Sequence, residues 1–336
     1  MELPLRHIFS PADLRSFQSS PVYTDVLSFL GSLNAAVAGK ALDAEVPESP
    51  FCGRLLALLR MLEGWVAEYP PLKQPMRFGN KAFRDWHARL VREGVAQCAA
   101  LLAAPAGGAA PLQLASYLAD AFGNPTRIDY GTGHEASFLF FLCAAGACGA
   151  LAPTDLPCAG LRVFPAYVRV CRALQRAYGL EPAGSHGVWS LDDYHIIPFL
   201  LGASQLAGAG GGGGGELRPC DAPRPDAQAA HGARYLFFDC VRAVMEVKRG
   251  APFAETSPLL AQLCDMPSWA KANEAVARMF KAEVVGKLPV AQHFLFCSLL
   301  PAAWQSSREP VPSDAGAALL AAQAVAEAGS GGGGET

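Results

Sequence analysis

Charge is scarce in this 336-residue chain: Asp, Glu, Lys and Arg make up 17%, against about 25% in ordinary soluble domains. Neither sign dominates, with 27 Lys and Arg against 30 Asp and Glu and a net charge of −3. A general nucleic-acid or membrane-surface binder needs a basic excess, so both classes are disfavoured. The ten cysteines contain no CxxC pair and no zinc-ribbon spacing, which speaks against a structural zinc site. The opening MELPLRHIFS lacks the basic and apolar regions of a secretory signal. A reducing cytoplasmic setting is expected, with the nucleus as an alternative. No GxxxxGK[ST] loop, H-E-x-x-H motif or Ser-His-Asp order is found, so P-loop, zincin and triad chemistries are disfavoured. Glu135 follows His134, but the position four after the histidine is Phe138.

What is present is apolar and helical. Residues of the AVILMFWYC set make 51% of the chain, enough for a large core. Sixty alanines lean toward helix, since alanine has the highest helix propensity. The nineteen residues after Glu135 carry no charge, close to the roughly 20 needed to cross a bilayer. Gly146, Gly149 and Pro153 interrupt that run, and no basic cluster flanks it, so a buried core helix is the preferred reading.

Ser10-Pro11 and Ser20-Pro21 each place a capping serine before a proline suited to a first helical turn. Leu55, Leu58, Leu59, Leu62, Trp65 and Val66 recur at helical spacing until Pro70-Pro71. Phe83, Trp86, Leu90 and Val91 start a second stripe, and Val163, Val170 and Leu174 a third. Strand alternation bounded by hairpin turns is missing. The expected class is all-α. Residues 207–233 read as a Gly/Pro-rich surface loop and 306–336 as a low-complexity, largely flexible tail, with a short helix near 317–328.

Three constellations could carry chemistry. In TRIDYGTGHEASF (126–138), Gly131 and Gly133 precede an apolar helix. Their backbone N–H groups, Thr132 and the Arg127 fork suit an anion; a purely structural turn is the alternative. In EPAGSHGVWSLDDYHIIPFLLGASQL (181–206), a glycine-rich turn precedes Asp192 and Asp193. One carboxylate with loop carbonyls and water would suit Mg2+; a helix start with an acidic first turn is the alternative. In KAEVVGKLPVAQHFLFCSLL (281–300), Gln292 and His293 interrupt an apolar stretch. Either they recognise a ligand, or the histidine is a satisfied core residue.

These blocks, with RFGNKAFRDW (77–86), MEVKRGAPFAETSPLL (245–260) and the early SSPVYTDVLSFLGSLNAAVAGK, together resemble the serine/threonine-protein phosphatase 2A activator (phosphotyrosyl phosphatase activator) family. The resemblance covers roughly residues 8–300 and implies one helical domain over 8–305 with core and lid-like subdomains. It implies a peptidyl-prolyl cis-trans isomerase that takes proline-containing peptides. It also implies an ATP- and Mg2+-linked activator of phosphatase 2A-type catalytic subunits, with no nucleic-acid or membrane partner. A non-catalytic phosphatase regulator using nucleotide and metal as structural glue is the alternative. Carried over motif by motif, the nucleotide residues are Arg127, Thr132, Gly133, Pro289, Gln292 and His293. The metal residues are Gly187 and Asp193. No catalytic residue is named. The chain departs from the family pattern at Ser190, Ala272, Ala275 and Cys297, and in the glycine run after Leu206.

Overall fold

The computed structural model describes residues 3–74, 79–104, 108–184, 190–207, 217–248 and 250–330. Helices dominate, as expected. The first, α1 (Pro11–Gln18), α2 (Pro21–Ala36) and α3 (Pro50–Glu68), share one device. A serine (Ser10, Ser20 or Ser49) accepts from a backbone N–H of the first turn, and proline takes the opening position. Next come α4 (Ala82–Leu102), α5 (Ala109–Asp120), α6 (Thr132–Ala147), the short α7 (Leu156–Cys158) and α8 (Phe164–Tyr178). The second half holds α9 (Ile197–Ala207), α10 (Pro225–His231), α11 (Leu236–Val247), α12 (Phe253–Thr256), α13 (Pro258–Cys264), α14 (Trp269–Met279), α15 (Leu288–Ala291) and α16 (Asp314–Ser330).

The uncharged run becomes α6, whose residues from Glu135 to Ala145 are all buried. It packs on α2, α5 and α15. No helix among the described residues is long and apolar enough to cross a membrane. In the second half α9 lies against both α11 and α14. A Cβ on Gly202 would stand 2.2 Å from the backbone nitrogen of Phe237, so glycine sets the close approach of α9 and α11. Ala272 and Ala275, two of the departures from the family pattern, are buried on α14.

Very short strands tie distant segments together. Strand β1 (Leu5–Arg6) sits between β4 (Leu295–Phe296) and β5 (Val311–Pro312), antiparallel to both. Strand β2 (Asp129–Tyr130) pairs in parallel with β3 (Glu181–Pro182), in register Asp129 with Glu181.

Two segments are more ordered than expected. Within 207–233, Pro219 opens a 3-10 turn and Pro225 opens α10. Ala222, Ala227 and Gln228 are buried there, and Trp269 Nε1 donates to the carbonyl of Leu217 at 2.7 Å. The prolines stand at helix starts, where their missing N–H costs nothing. Residues 208–216 and 331–336 lie outside the described residues. The tail forms α16, which packs on α4 and α5 with Ala315 and Leu319 buried.

Candidate functional site

The β2–β3 pair builds the floor of a cleft. Ala183 N donates to Tyr130 O at 2.8 Å, which draws the 183–184 segment against the turn leading into α6. Gly131, the residue before α6, is closed on from that side: a Cβ there would lie 2.4 Å from the carbonyl of Ala183. Gly133 faces α15, where an added Cβ would meet Val290 at 3.3 Å. Both glycines therefore serve close packing of segments across the cleft, with Gly131 the stricter requirement.

Arg127 is placed by a tight turn. The Asn124 side-chain oxygen accepts from the backbone N–H groups of Thr126 and Arg127, both at 2.9 Å. Ile128 closes the turn with φ +55°, a left-handed conformation that costs a β-branched residue about 1–2 kcal/mol. That strain is held by burial of Ile128 and by its N–H bond to Asn124 O at 2.7 Å. The Arg127 Nε reaches Asp129 Oδ2 at 2.6 Å while the side chain stays about half exposed.

One cavity of about 450 Å³ is lined by Arg127, Gly133, Pro289 and His293, together with Arg6, Asp129 and Lys287. Four of the six expected nucleotide residues thus meet in one place, although more than 150 positions separate the two contributing segments. Thr132 lines an adjoining cavity, also about 450 Å³, with Asp193. The two cavities share Ala183, Gly184, Lys287 and Val290 as a common wall. Gln292 is not among the lining residues; its Nε2 turns back to the carbonyl of Pro289 at 3.1 Å.

Charge around the first cavity is mixed. Burial raises the Asp129 carboxyl, but His134 and Arg127 more than offset it and hold it below its ordinary value. His134 donates from Nδ1 to the carbonyl of Asp120 at 2.6 Å. His293 remains partly open to solvent. Desolvation by the cleft walls nevertheless lowers its imidazole to about 4, assisted by the charges of Arg127, His134 and Arg6. At neutral pH it is an uncharged hydrogen-bonding group. A ligand phosphate would therefore meet Arg127 and Lys287, while His293 offers polar contacts without charge.

The second cavity is bounded by a carboxylate cluster and apolar walls. Asp193 pairs with Lys248 Nζ at 3.2 Å, and both side chains are mostly buried. The neighbouring Asp192 feels strong desolvation, yet hydrogen bonding to His195 and the charges of His195 and Arg172 hold its carboxyl low. Leu191, Ile196, Leu259, Met279 and Val284 supply hydrocarbon to the lining. No group of three or more His, Cys, Asp or Glu side chains able to hold a metal occurs among the described residues. Gly187 lies outside those residues.

Glu135 clamps the start of α6 to the start of α9. It is fully buried in the first turn of α6, and its Oε2 accepts from Ile196 N at 2.9 Å and Ile197 N at 3.1 Å at the start of α9. Its Oε1 is buried without a hydrogen-bond partner among the described residues. Burial pushes this carboxyl up to about 8, with the two backbone bonds opposing and Asp192 reinforcing the shift. Glu135 has no role assigned from the sequence alone; its one local sign there is a charged residue opening a long apolar run. Lys248, by contrast, carried no local sign that it would reach Asp193 across 55 positions.

Comparison with known proteins bears on the whole chain. A family profile described as "Phosphotyrosyl phosphate activator (PTPA) protein" matches residues 4–302. A serine/threonine-protein phosphatase 2A activator of Drosophila melanogaster is 39% identical over 291 residues, covering 86% of this chain and 71% of the relative. The serine/threonine-protein phosphatase 2A activator 2 of Yarrowia lipolytica is 38% identical over 314 residues, covering 92% and 86%. The crystal structure of the PP2A phosphatase activator Ypa1 PTPA1 superimposes with a TM-score of 0.79 at 30% identity, covering 89% of this chain and 95% of that one. With its helical architecture and its cleft motifs, the chain belongs to the phosphotyrosyl phosphate activator (PTPA) family.

Proposed function

We propose that this protein activates a phosphatase 2A-type catalytic subunit, as an ATP- and Mg2+-linked peptidyl-prolyl cis-trans isomerase working in the cytoplasm. The observation that carries the reading is the meeting of Arg127 and Gly133 with Pro289 and His293 in one cavity, beside a second cavity holding Thr132 and Asp193. Phosphates fit the first cavity because Arg127 offers a planar donor fork and Lys287 a second cation. The neutral His293 suits a sugar or base edge.

Asp193 fits Mg2+ by donor type: one hard carboxylate oxygen, completed by phosphate and water oxygens, is a usual donor set for that ion. When bound, Mg2+ would supply charge neutralisation between the carboxylate and a phosphate chain. Lys248 holds the same position electrostatically in this structure. Its ammonium keeps Asp193 compensated, so the carboxylate is not left as an uncompensated buried charge.

Isomerisation needs neither nucleophile nor proton transfer. The barrier of ~18–20 kcal/mol comes from amide resonance, and the twisted imide is less polar than the planar one. The apolar walls formed by Leu191, Ile196, Met279 and Val284 favour that twisted form by withholding water. Eight of the ten cysteines are buried in the fold and none of the ten forms a disulfide, which supports a reducing compartment.

Reconstitution with a purified phosphatase 2A catalytic subunit tests the reading. The chain with Mg-ATP should raise phosphatase activity, and the chain alone should accelerate cis-trans exchange of a proline peptide. Activation without any isomerase turnover would favour the non-catalytic regulator instead.

A further inference from the structure

The matched family region ends at residue 302, yet the cavity holding Arg127 and His293 is also lined by Ser313 and Asp314. The chain after 302 is held to the fold at several points. Trp304 packs its ring against Phe17 and Phe296 at centroid separations of 5.9 and 5.0 Å. Ser307 donates from its backbone N and its Oγ to the Asp13 carboxylate at 2.8 and 2.5 Å. Strand β5 then adds to β1, and Arg6 Nη2 donates to the carbonyl of Pro312 at 3.0 Å.

At the cleft, Ser313 donates from Oγ to Asp120 Oδ1 at 3.1 Å and accepts from Gly316 N at 3.0 Å, starting α16. Asn124, whose side chain also shapes the Arg127 turn, donates to Asp314 Oδ2 at 3.3 Å. Behind the mouth, Leu319 is fully buried, its Cδ2 3.7 Å from the position a Cβ on Gly94 of α4 would take. Arg6 lines the same cavity, and its Nε is buried without a partner among the described residues.

We infer that segment 311–330 is a strap that forms one wall of the cleft and gates it by charge, with Asp314 opposing entry of an uncompensated polyphosphate. Asp314 adds a negative charge to the lining that also holds Arg127 and Lys287, the cations a phosphate chain would use. A polyphosphate carrying a divalent cation brings less charge and is opposed less. Displacing the strap removes Asp314 and frees Arg6 from Pro312, which makes the cleft both wider and more positive. The inference rests on reading the cleft as a nucleotide site and adds to it a regulator built from the segment after the matched family region.

Two full-length variants test it, with ATP and inorganic tripolyphosphate as probes in titration calorimetry, each with and without Mg2+. Asp314→Asn removes charge and keeps shape; Leu319→Asp drives α16 off its seat on α4. Both should bind Mg2+-free ATP about threefold or more tightly than the parent, with a smaller gain when Mg2+ is present. Unchanged or weaker Mg2+-free binding in both variants, with the parent still binding, overturns the strap and leaves the nucleotide reading standing. Absence of binding in all three chains removes the nucleotide reading and the strap with it.

Discussion

Replacing Glu135 by Gln should change how stability depends on pH while leaving the clamp between α6 and α9 in place. The carboxyl is fully buried, one oxygen accepts two backbone N–H bonds, and its pKa is raised from 4.5 to about 8. The folded state therefore holds the proton more tightly than the unfolded chain. The stabilisation is fully present below the unfolded value of 4.5, declines as pH rises beyond it, and is gone above the folded value of about 8. Between about pH 5.5 and 7.5 the parent should lose about 2–3 kcal/mol from this group alone, since each unit of pKa difference is worth about 1.4 kcal/mol. Gln cannot titrate, and its amide oxygen can take the same two bonds. Other titrating groups are common to both chains and cancel in the difference. Urea unfolding of parent and Glu135→Gln at several pH values measures that difference directly. Parallel pH profiles would falsify the assignment of a buried, protonated Glu135.

Other perturbations act on the cleft or its supports. Gly131→Ala should cost about 1–3 kcal/mol in thermal unfolding and reduce phosphatase activation, because the new methyl collides with the Ala183 carbonyl 2.4 Å away; an unchanged melting temperature would contradict that packing. Gly202→Ala should be at least as destabilising, since the backbone of Phe237 lies 2.2 Å from the added carbon, but with no selective loss of ATP affinity. Asp193→Asn should weaken Mg2+-dependent phosphatase activation while circular dichroism stays that of the parent. If activation across a magnesium titration matches the parent, the metal role of Asp193 is wrong.

Local rules carried much of the fold. Ser10-Pro11 and Ser20-Pro21 start helices where capping chemistry places them, and the Leu55–Trp65 stripe is the buried face of α3. The turn before α6 also follows from its glycines and the uncharged run beyond them. Much of the site depends on pairings between residues far apart in the chain. The two-residue strands β2 and β3 are too short for an alternation signal, yet they bring the 131–133 turn to Ala183. Lys248 meets Asp193 only because α11 packs beside α9. Composition misled at 219–231, where prolines that looked like breakers open a turn and a helix. The alanine-rich tail forms the helix expected near 317–328, and what composition did not show is its seat on α4 and α5. The gathering of Arg127 with His293 followed from family resemblance, since neither local segment pointed to the other.

ATP affinity measured across a double-mutant cycle of Arg127→Ala and His293→Ala asks directly whether those two segments share one ligand. Arg127→Ala should weaken ATP binding by about 1.5–3 kcal/mol, at least tenfold, because it removes a charged donor to phosphate. His293→Ala should weaken it less, and the double variant should depart from additivity, as residues holding one ligand do. ATP affinity equal to the parent in both single variants would contradict the shared cleft.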